Sequence, residues 1–280
     1  MNLPPFKSET MNLNVNNGVP FLTYKLLEEI PFITHAFSTR LGGVSAGEFS
    51  TMNLAFNRGD NPDSVTENYK RLCNAVGLDF NTLVASAQNH HTYVRKVTSK
   101  DCGIGITKPK DIESVDALVT NQPNVTLVTY YADCTPIFFI DKEKRVIALA
   151  HAGWRGTVGK ICQRVIKIMA NDYGSSPSNI ICCVGPAISK CCYEIDQGCY
   201  DEFAKAGGLN LKKIMTSRGN GKYMANLLEA NRQIITASGV PNENITISDV
   251  CTMCNNKLLW SHRATNGHRG TMSAFMCING

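Results

Sequence analysis

Two short β-rich runs, joined by only a few charged residues, constrain the fold most strongly. They are PIFFID, which follows Thr135, and RVIALA, which follows Lys144. A connection this short permits an antiparallel hairpin but not a crossover between parallel strands. Further β-rich runs flank the pair along the chain: LVTYY, NIICCV and ITISDV. Because predicted helices separate some of these runs, parallel connections are also expected, and the pattern predicts a mixed sheet covered by helices.

Apolar periodicity predicts three helices. The first begins near Ser64, where Glu67 completes a capping-box spacing, and it ends before Gly77. The second follows Thr157 with apolar residues repeating along one face, and the third covers residues 223–238. Strands and helices therefore alternate irregularly along the chain.

The chain is long enough to bury one large apolar core. Its 280 residues are 43% hydrophobic, and no repeat or proline-rich linker divides them. We predict a single catalytic domain over residues 21–280, preceded by a polar, Asn-rich arm or edge element over residues 1–20. Neither a secretory signal nor a run of about 20 apolar residues is found. The expected location is cytoplasmic, with no membrane partner.

Charge and cysteine content narrow the class of protein. The net charge of +5 is mild and spread along the chain. The sequence lacks the clusters of basic and aromatic residues that bind nucleic acid, so nucleic acid is not an expected partner. The twelve cysteines are expected to be mainly reduced core thiols rather than a disulfide scaffold. The modest positive charge suits an anionic or phosphate-bearing small substrate.

The open end of the predicted hairpin carries two residues that can bind a metal ion. The expected register puts Cys134 opposite His151, or one place from it, with directly opposed Cβ atoms about 5 Å apart on one face. A third ligand is available in QNHHTYV. There His90 and His91 point to opposite faces of an extended segment, so one of them is expected to reach the ion. The alternative interpretation is a hairpin whose terminal Cys and His are merely packed or hydrogen-bonded.

Longer motifs carry a resemblance that spans the chain from about residue 20. They are, in order, HAFSTRLGGVSAGEFSTMNL, QNHHTYV, DALVT, YADCTPI, AHAGWRGT, GPAIS, DVCTMC, SHR and GHRGTMSAF. The sequence resembles the YlmD/YfiH family, whose members were long labelled laccase-like or polyphenol oxidases and are now understood as purine nucleoside phosphorylases. This resemblance implies an α+β fold, a four-layer α/β/β/α sandwich with mixed β-sheets.

The resemblance also implies a metal centre and two activities. The family's zinc ligands fall on His90, Cys134 and His151, which are then the expected catalytic residues, with copper as an alternative ion. The implied partners are inorganic phosphate and adenosine, inosine, guanosine or S-methyl-5'-thioadenosine, cleaved to free base and ribose 1-phosphate or its methylthio analogue. Adenosine deamination is implied as a second activity. Two positions depart from the family pattern: His91, where a small residue is usual, and Ala264, where many relatives have a second arginine.

Five further residues are candidates for contact with substrate or for orienting ligands. Arg40 and Arg155 can bind phosphate or sugar, because a guanidinium holds two phosphate oxygens at once. Asn53 and Asp133 are candidates for orienting ligands or binding ribose, and His262 for contacting substrate. Each has an alternative role as an ordinary structural residue.

Other functions remain open. A cysteine hydrolase would use Cys134 as a thiolate activated by His151, acting for instance on peptidoglycan precursors. A copper-dependent oxidase is disfavoured, because six histidines without a His-x-His pair do not suit a multicopper centre. A third alternative is a non-catalytic metal-binding module. Cys251 and Cys254 form one CxxC without a matching pair, so packing or site support is the expected role there.

Overall fold

The computed structural model describes residues 3–280, which contain fifteen strands and seven α-helices. The strands are Met11–Asn16 (β1), Val19–Tyr24 (β2), Ile33–Ser38 (β3), Leu83–Ala85 (β4), Val94–Lys96 (β5), Ala117–Thr120 (β6), Thr126–Tyr131 (β7), Thr135–Asp141 (β8), Val146–Ala152 (β9), Ile180–Val184 (β10), Glu194–Asp196 (β11), Met215–Gly219 (β12), Lys222–Ala225 (β13), Ile245–Ile247 (β14) and Met272–Ile278 (β15). The helices are Lys25–Glu28 (α1), Pro62–Val76 (α2), Trp154–Val158 (α3), Ile161–Tyr173 (α4), Gln197–Ala206 (α5), Leu211–Ile214 (α6) and Leu227–Ala237 (α7). None of the helices within residues 3–280 combines the length and apolar character that a bilayer span requires.

Two six-stranded sheets form the centre of the molecule. Their strand orders are β1-β2-β3-β15-β7-β4 and β14-β10-β8-β9-β6-β5, and a third sheet has the order β11-β13-β12. Both large sheets are mixed, because β4 pairs parallel to β7 in the first and β10 parallel to β14 in the second, among antiparallel neighbours.

Alternation along the strands produces four layers. On β8, Phe138 and Ile140 pack against residues of the first sheet, whereas Ile137 and Phe139 face the apolar sides of α4 and α7. Helix α2 covers the outer face of the first sheet. The order helix, sheet, sheet, helix in a single domain confirms the predicted sandwich.

Helix α2 ends where predicted but begins earlier. Gly77, at φ 82°, terminates it. The N-cap is Asn61 rather than Ser64, because the Asn61 side chain accepts hydrogen bonds from the Asp63 and Ser64 amides, and Pro62 occupies the first turn. The predicted capping box at Ser64 is therefore wrong.

The other two predicted helices also differ in detail. The segment after Thr157 is divided into α3 and α4, because Lys160 adopts the left-handed conformation at φ 59°. The segment 223–238 begins as strand β13, and α7 starts only after its N-cap Asn226. Local apolar periodicity did not reveal that Tyr223 belongs to the third sheet.

The hairpin of β8 and β9 is present with a register different from the one predicted. Asp141 pairs with Val146 across a four-residue loop, and His151 lies opposite Pro136. The predicted opposition of Cys134 and His151 is therefore wrong: the direct pairing is off by two residues and the alternative by one. A shift of two residues leaves side chains on the same face of a sheet, so Cys134 becomes a diagonal neighbour of His151.

Residues 11–24 form a hairpin at the edge of the first sheet. Strand β1 pairs antiparallel with β2 over six residue pairs, so residues 11–16 form an edge element. A boundary at residue 20 cuts this hairpin within β2, and the division of the chain at that residue stays a prediction.

Candidate metal centre and adjoining cavities

Three side chains from distant parts of the chain converge at one edge of the two-sheet core. His90 lies in the loop between β4 and β5, Cys134 directly precedes β8, and His151 lies near the end of β9. Their potential ligand atoms are all within 4.8 Å of one another. The Cys134 Sγ is 3.9 Å from His90 Nε2. The structure thus brings together the three residues predicted to hold a metal ion.

The buried carboxylate of Asp116 fixes the side chain of His151 and the backbone of His90. Its Oδ1 accepts hydrogen bonds from His151 Nδ1 at 2.8 Å and from the His90 amide at 3.0 Å. Its Oδ2 accepts from the amides of Asn89 and His91 at 3.1 and 3.0 Å. Because Nδ1 of His151 is the donor to Asp116, its Nε2 keeps a lone pair for a metal ion.

Charge interactions favour an ionised thiol in this cluster. Burial alone would raise the pKa of Cys134, but the neighbouring His151 and His90 outweigh burial and lower it to about 6. Burial alone would lower the pKa of His151, yet Cys134 and Asp116 raise it to about 9. Together these shifts favour an ion pair between the Cys134 thiolate and a protonated His151, in which a metal ion would replace the proton on His151 Nε2. The thiolate is both the metal-binding and the nucleophilic form of cysteine.

The side chain of His91, whose amide also donates to Asp116, points away from the cluster. Its Nδ1 lies 2.7 Å from the hydroxyl of Ser114. His90 adopts φ 62°, which turns the chain between the two adjacent histidines. The structure therefore selects His90 as the histidine that joins the cluster, as the resemblance implied.

Gly153 supplies the space in which the cluster forms. A Cβ atom at this position would lie 3.0 Å from His90 Cδ2 and 3.1 Å from Cys134 Sγ. Its φ of −67° is one that any residue can adopt. This glycine is therefore required for close approach of the side chains rather than for backbone conformation.

A cavity of ≈360 Å³ adjoins the cluster on one side. Aromatic and cationic side chains line much of it, together with Cys134 and both histidines: Phe56, Tyr130, Tyr131, Arg58, Lys110 and Arg269. The ammonium group of Lys110 is 5.3 Å from the centre of the Tyr130 ring. This cavity combines positive charge with flat apolar surfaces.

A second cavity of ≈340 Å³ lies on the other side and shares His90, Cys134 and Arg269 with the first. Arg155 and His262, both predicted to contact substrate, line this second cavity. The Arg155 guanidinium lies 4.2 Å from the centre of the Trp154 ring.

The carboxylate of Asp133 organises one wall of the second cavity. It accepts hydrogen bonds from the Thr252 and Ser261 hydroxyls at 2.6 and 3.0 Å and from the Arg263 amide at 2.7 Å. These contacts join the turn before Cys134 to the SHR segment. Asp133 thus has a clear supporting role in the protein.

Two other predicted substrate contacts lie in different surroundings. The Arg40 guanidinium is 3.8 Å from the centre of the Trp260 ring and donates to the Asn256 carbonyl. The buried Asn53 side chain is occupied by the backbone of Ala55 and by other protein groups, including the Thr271 amide and Asp60. The Asn53 contacts support Ala55 and Thr271, which line the first cavity, and direct contact of Arg40 or Asn53 with substrate stays a prediction.

Sequence reasoning missed the arginine at the junction of the cavities. Burial, reinforced by the nearby charge of Arg58, lowers the pKa of Arg269 to about 10. Within residues 3–280, its buried Nε has no hydrogen-bond partner. Its segment, GHRGTMSAF, carries the resemblance, but no spacing marked this arginine as functional. Asp116 was missed because three of its partners are backbone amides, which leave no trace in sequence.

Known proteins resemble this chain in sequence and in fold. Residues 34–279 match the family model described as "Multi-copper polyphenol oxidoreductase laccase". The purine nucleoside phosphorylase YlmD of Geobacillus stearothermophilus is 35% identical over 85% of this chain and 88% of its own length. The adenosine deaminase RL5, from an unknown prokaryotic organism, is 33% identical over 81% of this chain and 87% of its own length.

The crystal structure of YlmD from Geobacillus stearothermophilus superposes with a TM-score of 0.90, at 31% identity over 96% of this chain and 99% of YlmD. Matching sequence motifs and matching architecture therefore cover nearly the same residues. The chain belongs to the laccase-domain family that includes YlmD.

Proposed function

We propose that this protein is a zinc-dependent purine nucleoside phosphorylase that also deaminates adenosine. Its substrates are phosphate together with adenosine, inosine, guanosine or S-methyl-5'-thioadenosine. The observation that carries the proposal is the convergence of His90, Cys134 and His151 where two cavities meet, one of them cationic and aromatic. The names of the relatives YlmD and RL5 support the two activities.

The donor set fits a catalytic zinc ion. Two imidazoles and one thiolate are ligands that zinc accepts, and three protein ligands leave a fourth position for water or substrate. The Asp116–His151 hydrogen bond provides the outer support typical of metal-binding histidines. When bound, the ion would supply a Lewis acid that polarises a substrate oxygen or lowers the pKa of water. Copper remains the alternative ion for the same ligands.

Side chains of the first cavity suit the two substrates of phosphorolysis. Arg58, Lys110 and Arg269 provide positive charge for phosphate, and Arg269 has an unused N–H donor. Phe56 and Tyr130 offer aromatic faces for a purine base, and stacking of this kind contributes about 1–3 kcal/mol per base. Holding both reactants in one cavity aligns phosphate with the anomeric carbon and replaces the water around it.

A cysteine hydrolase is the second candidate, and a specific arrangement favours it. Cys134 lies beside His151, and Asp116 in turn orients His151. The nucleophile, the base and the orienting carboxylate are therefore adjacent in space, in that order. A thiol hydrolase would keep its activity after chelation, whereas the proposed phosphorylase would lose it.

The first test is chromatography of adenosine incubated with the protein, with and without phosphate. Phosphate-dependent adenine and phosphate-independent inosine are the expected products, and both should disappear after zinc removal and return when zinc is restored. Cys134→Ala should lose both while remaining folded by circular dichroism. If zinc-loaded protein forms neither product, the nucleoside assignment is wrong, and chelator-resistant cleavage of peptidoglycan precursors would support the hydrolase.

A second test addresses phosphate binding. Arg269→Gln should raise the KM for phosphate about 10–100-fold, because a hydrogen bond to a charged group contributes about 1.5–3 kcal/mol. Arg71→Gln is the matched control, since Arg71 is exposed on α2 and pairs only with Glu67. Equal phosphate KM values in the two variants would remove Arg269 from the binding site.

The cytoplasmic location and the absence of a nucleic-acid partner stay predictions.

A further inference from the structure

Four cysteines outside the His/Cys/His cluster converge from two separate segments. Cys191 and Cys192 lie in the loop between β10 and β11, and Cys251 and Cys254 form the CxxC after β14. All four sulfur atoms lie within 4.8 Å of one another. Cys254 Sγ is 3.6 Å from that of Cys191 and 3.4 Å from that of Cys192. The matching pair that the CxxC lacks in sequence is therefore a Cys-Cys dipeptide supplied by the fold.

The sulfur separations match the edges of a metal-thiolate tetrahedron. With Zn–S bonds of about 2.3 Å, tetrahedral geometry puts neighbouring sulfurs about 3.8 Å apart. A disulfide needs a separation of about 2.05 Å, far shorter than the observed distances. We propose that these four cysteines form a second, structural metal site that binds one zinc ion. Because all four ligands come from the protein, this site has no open position for substrate.

Backbone contacts already hold the two segments in the required arrangement. Cys251 forms a parallel β-bridge with Ala187, and the Thr252 amide donates to the Ala187 carbonyl at 3.1 Å. The Ser189 amide donates to Cys251 Sγ at 3.4 Å, and the Asn255 amide to the Cys251 carbonyl at 3.1 Å. An amide directed at a ligand sulfur is the kind of outer contact that orients ligands and stabilises their charge.

The position of the cluster explains what an ion there would stabilise. Ile188 and Tyr193, which flank the Cys-Cys dipeptide, line the second cavity. Thr252, inside the CxxC, donates to Asp133, the residue before Cys134. Zinc at the four cysteines would therefore fasten the loops that form one wall of the second cavity. Its expected role is to stabilise this wall without taking part in the reaction.

Metal content of single variants tests the site independently of catalysis. Zinc per chain is measured by elemental analysis after purification under reducing conditions. Cys254→Ser should contain one zinc less than the unsubstituted protein and should unfold at lower temperature. Cys199→Ser is the matched control, because Cys199 is a free, partly buried cysteine outside the cluster. Cys134→Ala should still bind the ion held by the four cysteines, so failure of the catalytic proposal would not affect this result.

A second measurement does not depend on the folding of Cys254→Ser. Zinc-stripped Cys134→Ala protein is treated with a thiol reagent, with and without one equivalent of zinc. Zinc should protect the four clustered cysteines, and cobalt in its place should show the absorption of tetrahedral thiolate coordination. Unchanged thiol reactivity, or equal zinc content in Cys254→Ser and Cys199→Ser, would overturn the proposal. An intact mass lower by two hydrogens, with no protected thiols, would instead identify a disulfide.

Discussion

Replacing Asp116 with asparagine tests the central support of the candidate metal centre. The two carboxylate oxygens accept four hydrogen bonds, one from the His151 ring and three from the amides of Asn89, His90 and His91. Asparagine has nearly the same shape but replaces one acceptor oxygen with an NH₂ group. Whichever way the amide is oriented, two of the four donors then face another donor.

The hydrogen-bond pattern sets the size of the effect. A buried donor left without a partner costs about 1–3 kcal/mol, so two such donors should lower the free energy of unfolding by about 2–6 kcal/mol. Metal affinity should also fall, because His151 loses a charged partner that fixes its orientation. Removing an outer partner of this kind typically weakens metal binding about 10–100-fold.

The assay separates affinity from stability. Zinc is titrated into stripped protein against a chromophoric chelator, in a Cys254→Ser background so that one site is followed. Unfolding in urea is measured on the same ion-free samples. Asp133→Asn is the matched control: its buried carboxylate also accepts three hydrogen bonds, but none of them comes from His90, Cys134 or His151.

The two variants should therefore diverge. Both should lose stability, while only Asp116→Asn should bind zinc at least tenfold more weakly than its parent. Equal zinc affinity in Asp116→Asn and its parent would refute the claim that this carboxylate orients the metal ligands. An equal loss in both variants would show that general loosening of the fold, rather than the His151 contact, controls affinity.

Three further predictions concern single positions. Gly153→Ala should reduce zinc content without unfolding the protein, because the added methyl group crowds His90; Gly198→Ala, where the nearest atom is 3.6 Å away, is the control for metal analysis. His91→Ala should keep its zinc and His90→Ala should lose it, as measured by elemental analysis; the reverse result would exchange their roles. Burial lowers the pKa of His35 to about 4, so the unfolded state takes up its proton first as pH falls below 6.5. Between pH 6.5 and 4, this difference in proton uptake should lower the free energy of unfolding by about 3 kcal/mol. Urea unfolding of His35→Gln should lack this part of the pH dependence.

Sequence patterns predicted the architecture better than the register. The β-rich runs PIFFID and RVIALA identified the hairpin, because their composition and the short connection between them are local properties of the sequence. The strand register depends on a four-residue loop in which Arg145 adopts a positive φ of 50°. Because the loop contains no glycine, its sequence does not indicate this turn. The predicted contact between Cys134 and His151 survived because the error was an even number of residues. An error of one residue would have put the two side chains on opposite faces.

The four-cysteine cluster could not be predicted from the sequence for a different reason. Cys191 and Cys254 are 63 positions apart, and they meet only because β10 and β14 pair in parallel. A spacing rule for metal sites reads each segment separately, so it finds one CxxC and no partner. Contacts of this kind require the strand order, which local patterns do not contain.

Two residues at the candidate metal centre adopt unfavourable backbone conformations with positive φ, and other contacts must offset their cost. His90 and Asp133 lie at φ 62° and 85°, in a region that costs about 1–2 kcal/mol for a residue with a side chain. Asp116 accepts the amide of His90 and those on either side, and the carboxylate of Asp133 is held by three donors. Each unfavourable turn is thus stabilised by a buried carboxylate. Asp116 holds a turn that carries the ligand His90 and also contacts the ligand His151, whereas Asp133 joins its turn to Thr252, Ser261 and Arg263 and contacts none of the three ligands. We therefore expect substitution of either carboxylate to lower stability more than substitution of an exposed charged residue on the cavity rim, and only the substitution of Asp116 to weaken metal binding as well.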